Sequence, residues 1–169
     1  NSRENMDIKL QICGPEQEEI VQEIFEETPE YFYNTERIQV TKGLAKKEMQ
    51  DLPPAEKRSS SYKKIFCLMI RDNQPIGVVD LHVNHPHKGS VYIGLFMVRG
   101  PMQKKGLGKE AYQVVERYIR KDLLAKKILL GVSEENDVET FWQKRGFQRN
   151  AKIYHWGRFD FQTRVFEMQ

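Results

Sequence analysis

The stretch that most constrains the fold is residues 92–111. Its first part belongs to the apolar, β-branched and aromatic run 91–98, which is typical of a strand buried on both faces. A polar turn with Gly100 and Pro101 comes next. From Ala111 onwards apolar residues recur with the 3.6-residue period of a helix. The sequence therefore predicts a strand, a basic glycine-bearing turn and a helix N-terminus in direct succession.

A helix N-terminus at this turn would attract an anion. The backbone N–H groups of a first helical turn have no partner within the helix, and the positive end of the helix dipole lies at the same place. Gly106 and Gly108 have no Cβ to keep a phosphate away from the backbone. Lys104, Lys105 and Lys109 add positive charge. The turn is therefore predicted to bind a polyphosphate.

The spacing of the turn separates three kinds of phosphate site. A P-loop requires Ser or Thr after its lysine, but Lys109 is followed by Glu110, which excludes it. The dinucleotide pattern G-x-G-x-x-G/A is matched by Gly106, Gly108 and Ala111. In that fold, however, the first glycine directly follows the strand, whereas residues 99–105 intervene here. A nucleotide-binding oxidoreductase therefore remains a distant alternative.

The third pattern is Gln/Arg-x-x-Gly-x-Gly/Ala, which residues 103–108 match. At this point the chain resembles the GNAT superfamily of acetyl-CoA-dependent N-acetyltransferases, in which the pattern follows the fourth strand. With the strand before it and the later segment 136–147, the resemblance covers nearly the whole chain. It implies a single α/β domain of the α+β type over residues 6–169. Residues 1–5 are expected to be an extraneous or disordered segment.

Periodicity predicts a mixed, mainly antiparallel, twisted sheet of about seven strands with about four helices on both faces. Short turns join the central strands directly, so they form an antiparallel meander. The segment 31–33 is interpreted as a connection between two helices. The predicted strands are 8–13, 64–72, 76–83, 91–98, 127–132, 153–156 and 161–168. The predicted helices follow Pro15, span 42–52, begin after Gly106, and begin at Asn136 with Glu139 as a capping-box partner.

Composition narrows the class of protein. A chain of 169 residues with 39% hydrophobic and 30% charged residues is typical of one folded globular domain. No apolar run approaches the roughly 20 residues of a membrane span. A net charge of +3 is too small to indicate a nucleic-acid partner. Because the N-terminus lacks an apolar signal region and two cysteines suggest buried thiols, a cytoplasmic location is expected.

The resemblance implies that acetyl-CoA enters a gap between the fourth and fifth strands. Its pantetheine arm would pair with the backbone of Phe96 and Val98, and its pyrophosphate would lie on the amides of residues 105–109. The Val98 amide would polarise the thioester carbonyl. No metal is implied. The implied cofactor-binding residues are Phe96, Met97, Val98, Gln103, Lys104, Lys105, Gly106, Leu107, Gly108, Lys109, Asn136 and Trp142.

An amine acceptor must lose its proton before it attacks, so a general base is useful. Many relatives place a glutamate on the fourth strand, but residues 93–98 contain no acid. The catalytic candidates besides Val98 are therefore Asp80 and His82 on the neighbouring strand. Residues two apart on a strand point to the same face, so the pair would serve one cleft. The alternative is that both side chains face solvent.

Two further groups are weighed for the reaction. Relatives often supply a tyrosine as acid where this chain has Trp142, whose indole donates a hydrogen bond but does not titrate. The thiolate then leaves unaided, or Tyr112 or Tyr154 acts as the acid. In relatives the segment between the first two helices forms a wall of the acceptor pocket. The acceptor-side candidates in that segment are Tyr31, Phe32 and Tyr33, for which plain packing is the alternative.

The function implied is transfer of an acetyl group from acetyl-CoA to a primary amine within a ternary complex. The acceptor is a small molecule or a protein amine, and the sequence does not choose between them. The alternative is a CoA-binding or sensing module with reduced catalysis.

His82, His85 and His87 match no zinc spacing, so no metal site is expected. A C-terminal hairpin would allow a homodimer, but neither nucleic acid nor membrane is expected as a partner.

Overall fold

The sheet is built from seven strands, and the computed structural model describes residues 7–133, 138–156 and 161–169. The strands are β1 Ile8–Ile12, β2 Lys63–Arg71, β3 Gln74–Val83, β4 Ser90–Val98, β5 Lys127–Ser133, β6 Gln148–Trp156 and β7 Phe161–Met168. The helices are α1 Glu18–Glu27, α2 Pro29–Glu36, α3 Leu44–Gln50, α4 Leu107–Arg117 and α5 Glu139–Lys144. Within the described ranges no helix is both long and apolar enough to cross a membrane.

The strand order β1-β2-β3-β4-β5-β7-β6 confirms a mixed, mainly antiparallel sheet. Strands β1 to β4 pair antiparallel with their chain neighbours, as the short turns predict. Among the strands that the structure describes, only β4 and β5 pair in parallel, and α4 lies in the connection between them. A parallel neighbour needs a crossover of this kind, because a tight turn can only reverse the chain.

Helices cover both faces of the sheet, as predicted. On one face α4 packs against the sheet through Leu107, Ala111 and Val115. On the other face α1 and α2 pack through Phe25 and Phe32, whose ring centroids lie 4.7 Å apart. The sheet is therefore buried on both sides, which explains why its central strands are nearly continuous apolar runs.

The described chain contains five α-helices where the sequence analysis expected about four. Thr28, with φ −133° and ψ 52°, interrupts the first helical pattern, and Pro29 begins α2. Proline is suited to a first helical position because its missing N–H would have no partner there. Residues 31–33 therefore lie inside a helix, so the interpretation of this segment as a connection is wrong. Their side chains consequently point in three different directions around α2.

A β-bulge at Gly94 divides β4 into two halves. Asp80 of β3 lies opposite Leu95, and the next residue, Leu81, lies opposite Ile93, so Gly94 has no opposite residue. One extra residue reverses the inside–outside alternation of a strand. Accordingly Ile93 packs into the core under α4, whereas Leu95, two residues later, packs into the core under α1 and α2.

The bulge coincides with the point where β4 leaves β5. The parallel pairing runs from Ser90 opposite Lys127 to Ile93 opposite Leu130 and ends there. Beyond it β5 continues against β7, while β4 runs on to Val98. Within the described residues the second half of β4 therefore has no strand along its β5 side, and a gap opens between the two strands.

The end of β4 is fastened to the corner between α1 and α2. The Arg99 guanidinium donates hydrogen bonds to both carboxylate oxygens of Glu27, one of them at 3.0 Å. The N–H of Gly100 donates to Thr28 Oγ1 at 2.8 Å. A Cβ at Gly100 would lie 2.2 Å from the Glu27 carbonyl oxygen, so only glycine fits. These contacts fix where the basic turn starts.

We expect Arg99→Gln to remove a pH-dependent part of the stability. The hydrogen bond from Arg99 lowers the pKa of Glu27 below its ordinary 4.5. A lowered carboxyl pKa stabilises the fold above the ordinary pKa, and this part is lost as the pH falls through the lowered pKa. Above pH 4.5 the free energy of unfolding of wild type should therefore exceed that of the variant by at most about 1 kcal/mol, since solvent screens the interaction between Arg99 and Glu27.

Urea unfolding of both proteins as a function of pH measures this difference. Lys126→Gln removes one exposed positive charge elsewhere and should leave the pH dependence unchanged. A difference between wild type and Arg99→Gln that stays constant well below the pKa of Glu27 would contradict the assignment to this ion pair.

Candidate active site

The gap between β4 and β5 forms a cleft of about 780 Å³, within the range of ligand pockets in proteins. One wall is the second half of β4 and the opposite wall begins at Leu130 and Gly131 of β5. The N-terminal turn of α4 and helix α5 close one end, and α2 closes the other. Elements far apart in sequence therefore meet at the place where the strands separate.

The basic turn forms the end of the cleft next to α4. Gly106 adopts a left-handed conformation with φ 70° at the N-cap of α4, and no side chain caps this helix. Its first amides therefore have no partner within the helix. Gln103 ties the turn to the strand, because its Nε2 donates to the Val98 carbonyl at 3.0 Å. Gln103, Gly106, Gly108 and Lys109 all line the cleft.

The other predicted cofactor-binding residues differ in which of their atoms face the cleft. The Leu107 side chain is buried in the core, so only its backbone is available to a ligand. Met97 is likewise buried against α1 and α2, although its backbone lines the cleft wall. The side chains of Lys104 and Lys105 lie outside the described part of the protein, as does all of Asn136. Lys144 at the end of α5 and Arg145 directly after it also line the cleft and add positive charge; the sequence analysis missed both.

Aromatic residues form the wall between α4 and α5. Phe141 lies next to Gly108, where an added Cβ would be 3.4 Å from its ring. Trp142 is 7% exposed and packs edge-on against Phe96, with ring centroids 5.5 Å apart. Trp142 both lines the cleft and belongs to the hydrophobic core behind it.

The structure does not support Tyr112 as a proton donor. Tyr112 packs edge-on against Trp142 with centroids 5.3 Å apart, and it is not among the residues that line the cleft. Burial raises the pKa of its hydroxyl well above the usual range. The side chain of Tyr154 lies outside the described residues.

The predicted helix start at Asn136 also lies outside the described residues. The described helix α5 begins at Glu139, whose carboxylate accepts hydrogen bonds from Arg149.

Only one of the three acceptor-side candidates on α2 lines the cleft. Tyr31 lies at the cleft end, and burial raises the pKa of its hydroxyl while a hydrogen bond with the Phe96 backbone opposes that shift. Phe32 is 0% exposed and belongs to the core, which corrects its candidacy as a substrate contact. Tyr33 is 54% exposed and lies under the Arg37 guanidinium, away from the cleft. The helical geometry of α2 explains this division.

Asp80 and His82 lie on the same face of β3, as predicted. His82 Nε2 is 3.3 Å from Asp80 Oδ2, and Lys64 Nζ donates to that oxygen at 3.0 Å. Asp80 is only 4% exposed, so the alternative that both side chains face solvent is wrong. Within the described protein Asp80 Oδ1 is buried and has no hydrogen-bond partner.

Gly94 separates this pair from the cleft. Gly94 is exposed and lines the cleft, and a Cβ there would lie 2.7 Å from His82 Nε2 and 3.3 Å from Asp80 Oδ2. Any side chain at this position would cover the pair. The bulge and the glycine together therefore bring two polar groups of β3 next to a cleft that β3 itself does not line.

The cleft is positively charged at the end near α5, and several acidic residues that do not themselves line it lie near Tyr31 at the other end. Near Tyr31 the acids Glu36, Glu48 and Asp51 lie close enough to Asp80 to influence one another. Burial, and then the charges of Glu36 and Asp51, raise the pKa of Glu48 to about 7. The other end carries Lys109, Lys144 and Arg145. This arrangement suits a ligand with phosphates at one end and a cationic group at the other.

Lys64 connects the acidic end to β3. Its Nζ donates to the Glu48 carbonyl at 2.9 Å and to the Asp51 carbonyl at 2.8 Å, besides the Asp80 carboxylate. All three donors of the ammonium group are therefore used.

His85 lies beside His82, with ring centroids 5.9 Å apart. In the described ranges no three His, Cys, Asp or Glu side chains lie together as metal ligands would.

The fold and the cleft define a class of protein: a mixed sheet whose central strands separate beside a glycine turn at a helix N-terminus. The chain belongs to the acetyltransferase (GNAT) family, whose family model matches residues 19–147. No curated protein sequence matches the chain.

Solved structures share the fold at low sequence identity. An acetyltransferase from Thermus thermophilus is 18% identical, with a TM-score of 0.73 and 96% of each chain covered. A spermidine N-acetyltransferase chimera from Vibrio cholerae and hSSAT is 17% identical, with a TM-score of 0.67 and 96% and 94% covered. The PaiA N-acetyltransferase of Thermoplasma acidophilum, in complex with coenzyme A, is 16% identical, with a TM-score of 0.63 and 97% and 99% covered.

Proposed function

We propose that the protein transfers an acetyl group from acetyl-CoA to a primary amine by direct attack within a ternary complex. One observation carries the proposal: the half of β4 that has no neighbour on its β5 side among the described residues leads, through the turn 99–106, to the N-terminus of α4, which no side chain caps. An extended arm along the strand and a diphosphate on the helix amides would satisfy both sets of backbone groups. Membership of an acetyltransferase family supports the same ligand.

The cofactor would be held mainly by the backbone. The amides of residues 105–109 bind the pyrophosphate, and Lys109 supplies charge. The pantetheine arm pairs with the backbone of Phe96 and Val98 in place of a strand. The side chain of Gln103 holds the turn against the strand and so sets the distance between these two sites. Asn136 remains a proposed contact for the pantetheine arm.

The reaction needs few side chains. The amine nitrogen attacks the thioester carbonyl carbon, a C–N bond forms, and the C–S bond breaks as the intermediate collapses. A carbonyl oxygen beside the Val98 amide would be stabilised as it gains negative charge. Before it attacks, the ammonium gives one proton to the Asp80–His82 pair, through water in the gap beside Gly94, and the nitrogen gives a second proton to solvent as the intermediate collapses to the amide. The CoA thiolate, with an ordinary pKa of about 8.5, leaves without an acid and takes a proton from solvent.

The acidic end of the cleft supports an acceptor that arrives as an ammonium ion. An alkyl ammonium with a pKa of about 10.4 is almost fully charged at neutral pH. Glu48 and Asp51 would attract it, and Tyr31 would contact its alkyl part. Small polyamines, amine-bearing antibiotics, lysine side chains and protein N-termini all satisfy this chemistry.

Release of free thiol from acetyl-CoA, measured across a panel of these amines, tests the proposal. Transfer to at least one primary amine is expected, with no transfer to the matching alcohols. Thermal unfolding with acetyl-CoA, CoA and NAD identifies the ligand in parallel, and only the first two should stabilise the protein. Stabilisation by CoA with no turnover on the whole panel would favour a CoA sensor, for which the non-titrating Trp142 is the supporting observation. Stabilisation by NAD alone would contradict the assignment.

A further inference from the structure

A second groove, of about 510 Å³, adjoins the cleft between α4 and α5. Tyr112, which is 1% exposed, lies at its base. The groove, called the basic groove below, is lined by six cations from α4, the turn after α4 and the end of α5: Lys109, Arg117, Arg120, Lys121, Lys144 and Arg145. Most of this positive charge has no part in the proposed acetyl transfer.

The charge of the basic groove is largely uncompensated. Glu116 is the only acid among the described residues that line it, and its carboxylate pairs with Arg120 Nε at 3.5 Å. The other five cations have no ion-pair partner within the described ranges. Arg117 and Lys121 are four residues apart, and like charges at this spacing on a helix repel each other. A bound anion would offset this repulsion, so the groove suits an anionic ligand.

The basic groove is continuous with the cleft. Lys109, Lys144 and Arg145 line both spaces. Lys109 lies in the first turn of α4, where the pyrophosphate is proposed to bind. Gln113 and Arg117 follow it at four-residue spacing on the same face of the helix, and Arg117 is about 12 Å further along the axis. The groove therefore begins at the proposed phosphate site and leads away from it along α4.

Coenzyme A has a group that fits a basic site at this position. Its pantetheine arm is proposed to run from the pyrophosphate into the gap between β4 and β5, so its adenosine must lie on the other side of the pyrophosphate. The ribose of that adenosine carries a phosphate monoester at its 3′ position. Such a monoester has a charge of about −1.5 to −2 at neutral pH and forms charge-assisted hydrogen bonds with Arg and Lys.

We propose that the basic groove binds the 3′-phosphate of coenzyme A, and that Arg117 and Lys121 make the protein prefer CoA to dephospho-CoA, which lacks this phosphate. Both side chains are exposed, and both line the groove but not the cleft. A guanidinium can hold two phosphate oxygens at once, while an ammonium adds a point charge. The inference rests on the proposed use of acetyl-CoA and specifies which end of that cofactor the groove recognises.

Titration calorimetry with CoA and with dephospho-CoA tests the proposal. Wild type should bind dephospho-CoA about tenfold more weakly than CoA, because two exposed ion pairs together contribute about this much. The double variant Arg117→Gln, Lys121→Gln should lose about tenfold in affinity for CoA and nothing for dephospho-CoA. Equal wild-type affinities for the two compounds would overturn the proposal. An equal loss for both compounds in the double variant would overturn it as well, because the two cations would then act on the pyrophosphate.

A second double variant controls for net charge. Lys63→Gln, Lys88→Gln removes two exposed cations at the start of β2 and in the turn before β4. It should bind CoA and dephospho-CoA with the affinities of wild type. A loss of CoA affinity as large as that of the groove variant would overturn the proposal, because the effect would then come from the overall charge of the protein.

Wild-type affinities separate an error about the groove from an error about the cofactor. If wild type binds both compounds equally, the cleft still holds coenzyme A and only the role of the groove is wrong. If wild type binds neither compound, the assignment of coenzyme A to the cleft is wrong together with the role of the groove. In turnover, the groove variant should raise KM for acetyl-CoA about tenfold and keep the kcat of wild type, because the groove lies away from the thioester. A lower kcat at saturating acetyl-CoA would contradict a role confined to the 3′-phosphate.

Discussion

Gly108→Glu is expected to weaken the binding of coenzyme A more than a hundredfold. The new carboxylate would stand in the first turn of α4, where the pyrophosphate is proposed to bind. Two like charges about 5 Å apart at an effective dielectric constant of about 20 repel by about 3 kcal/mol, which exceeds a hundredfold in Kd. A Cβ at this position would make an ordinary van der Waals contact of 3.4 Å with the Phe141 ring, so the loss is expected from charge.

The fold should survive this change. A glutamate in the first turn of a helix interacts favourably with the helix dipole, so α4 itself is not weakened. Titration calorimetry with CoA measures the affinity, and thermal unfolding without ligand checks the fold. Gln11→Glu adds the same charge on the exposed side of β1 and should bind CoA normally. Wild-type affinity in Gly108→Glu would remove the assignment of the phosphate site to this turn.

Asp80→Asn should lower kcat by about 10²–10⁴, the usual contribution of a positioned general base. Asparagine has the same shape as aspartate, but it cannot take a proton at neutral pH. The affinity for CoA should not change, because Asp80 lies behind Gly94 and not at the phosphate end of the cleft. The expected effect is therefore confined to the chemical step.

Steady-state kinetics on the best acceptor amine, with CoA affinity measured separately, tests this expectation. Asp72→Asn makes the same substitution in the exposed turn between β2 and β3 and should have no effect on kcat. Because Lys64 loses its ionised partner in Asp80→Asn, urea unfolding must show that the variant is still folded at the assay temperature. A folded Asp80→Asn variant with wild-type kcat would exclude Asp80 as the proton acceptor.

Local sequence pattern was sufficient for the strand, turn and helix at the centre of the fold. The run at 91–98 forms β4 over Ser90–Val98, and the glycine turn leads into α4 at Leu107. Each of these elements depends on near neighbours in the chain: alternation or continuity of apolar residues, the conformational freedom of Gly106, and a helical period. The antiparallel meander followed equally from the shortness of its turns.

The same reasoning failed where local pattern is ambiguous. Three consecutive aromatic residues at 31–33 were treated as one group, but a helix turns about 100° per residue and separates them. Tyr31 reaches the cleft, Phe32 enters the core and Tyr33 faces outwards. Thr28 and Pro29 mark the start of that helix.

The sequence by itself determined the succession of strands, the glycine turn at the start of α4 and the resemblance to an acyltransferase family, because these depend on residues close together in the chain. Only the tertiary structure decided that Tyr62, Lys64, Asp80 and His82 meet beside Gly94. That meeting depends on the pairing register of β2, β3 and β4 and on one extra residue in β4. Register is set by the packing of whole faces against each other, and a local period carries no information about a partner strand.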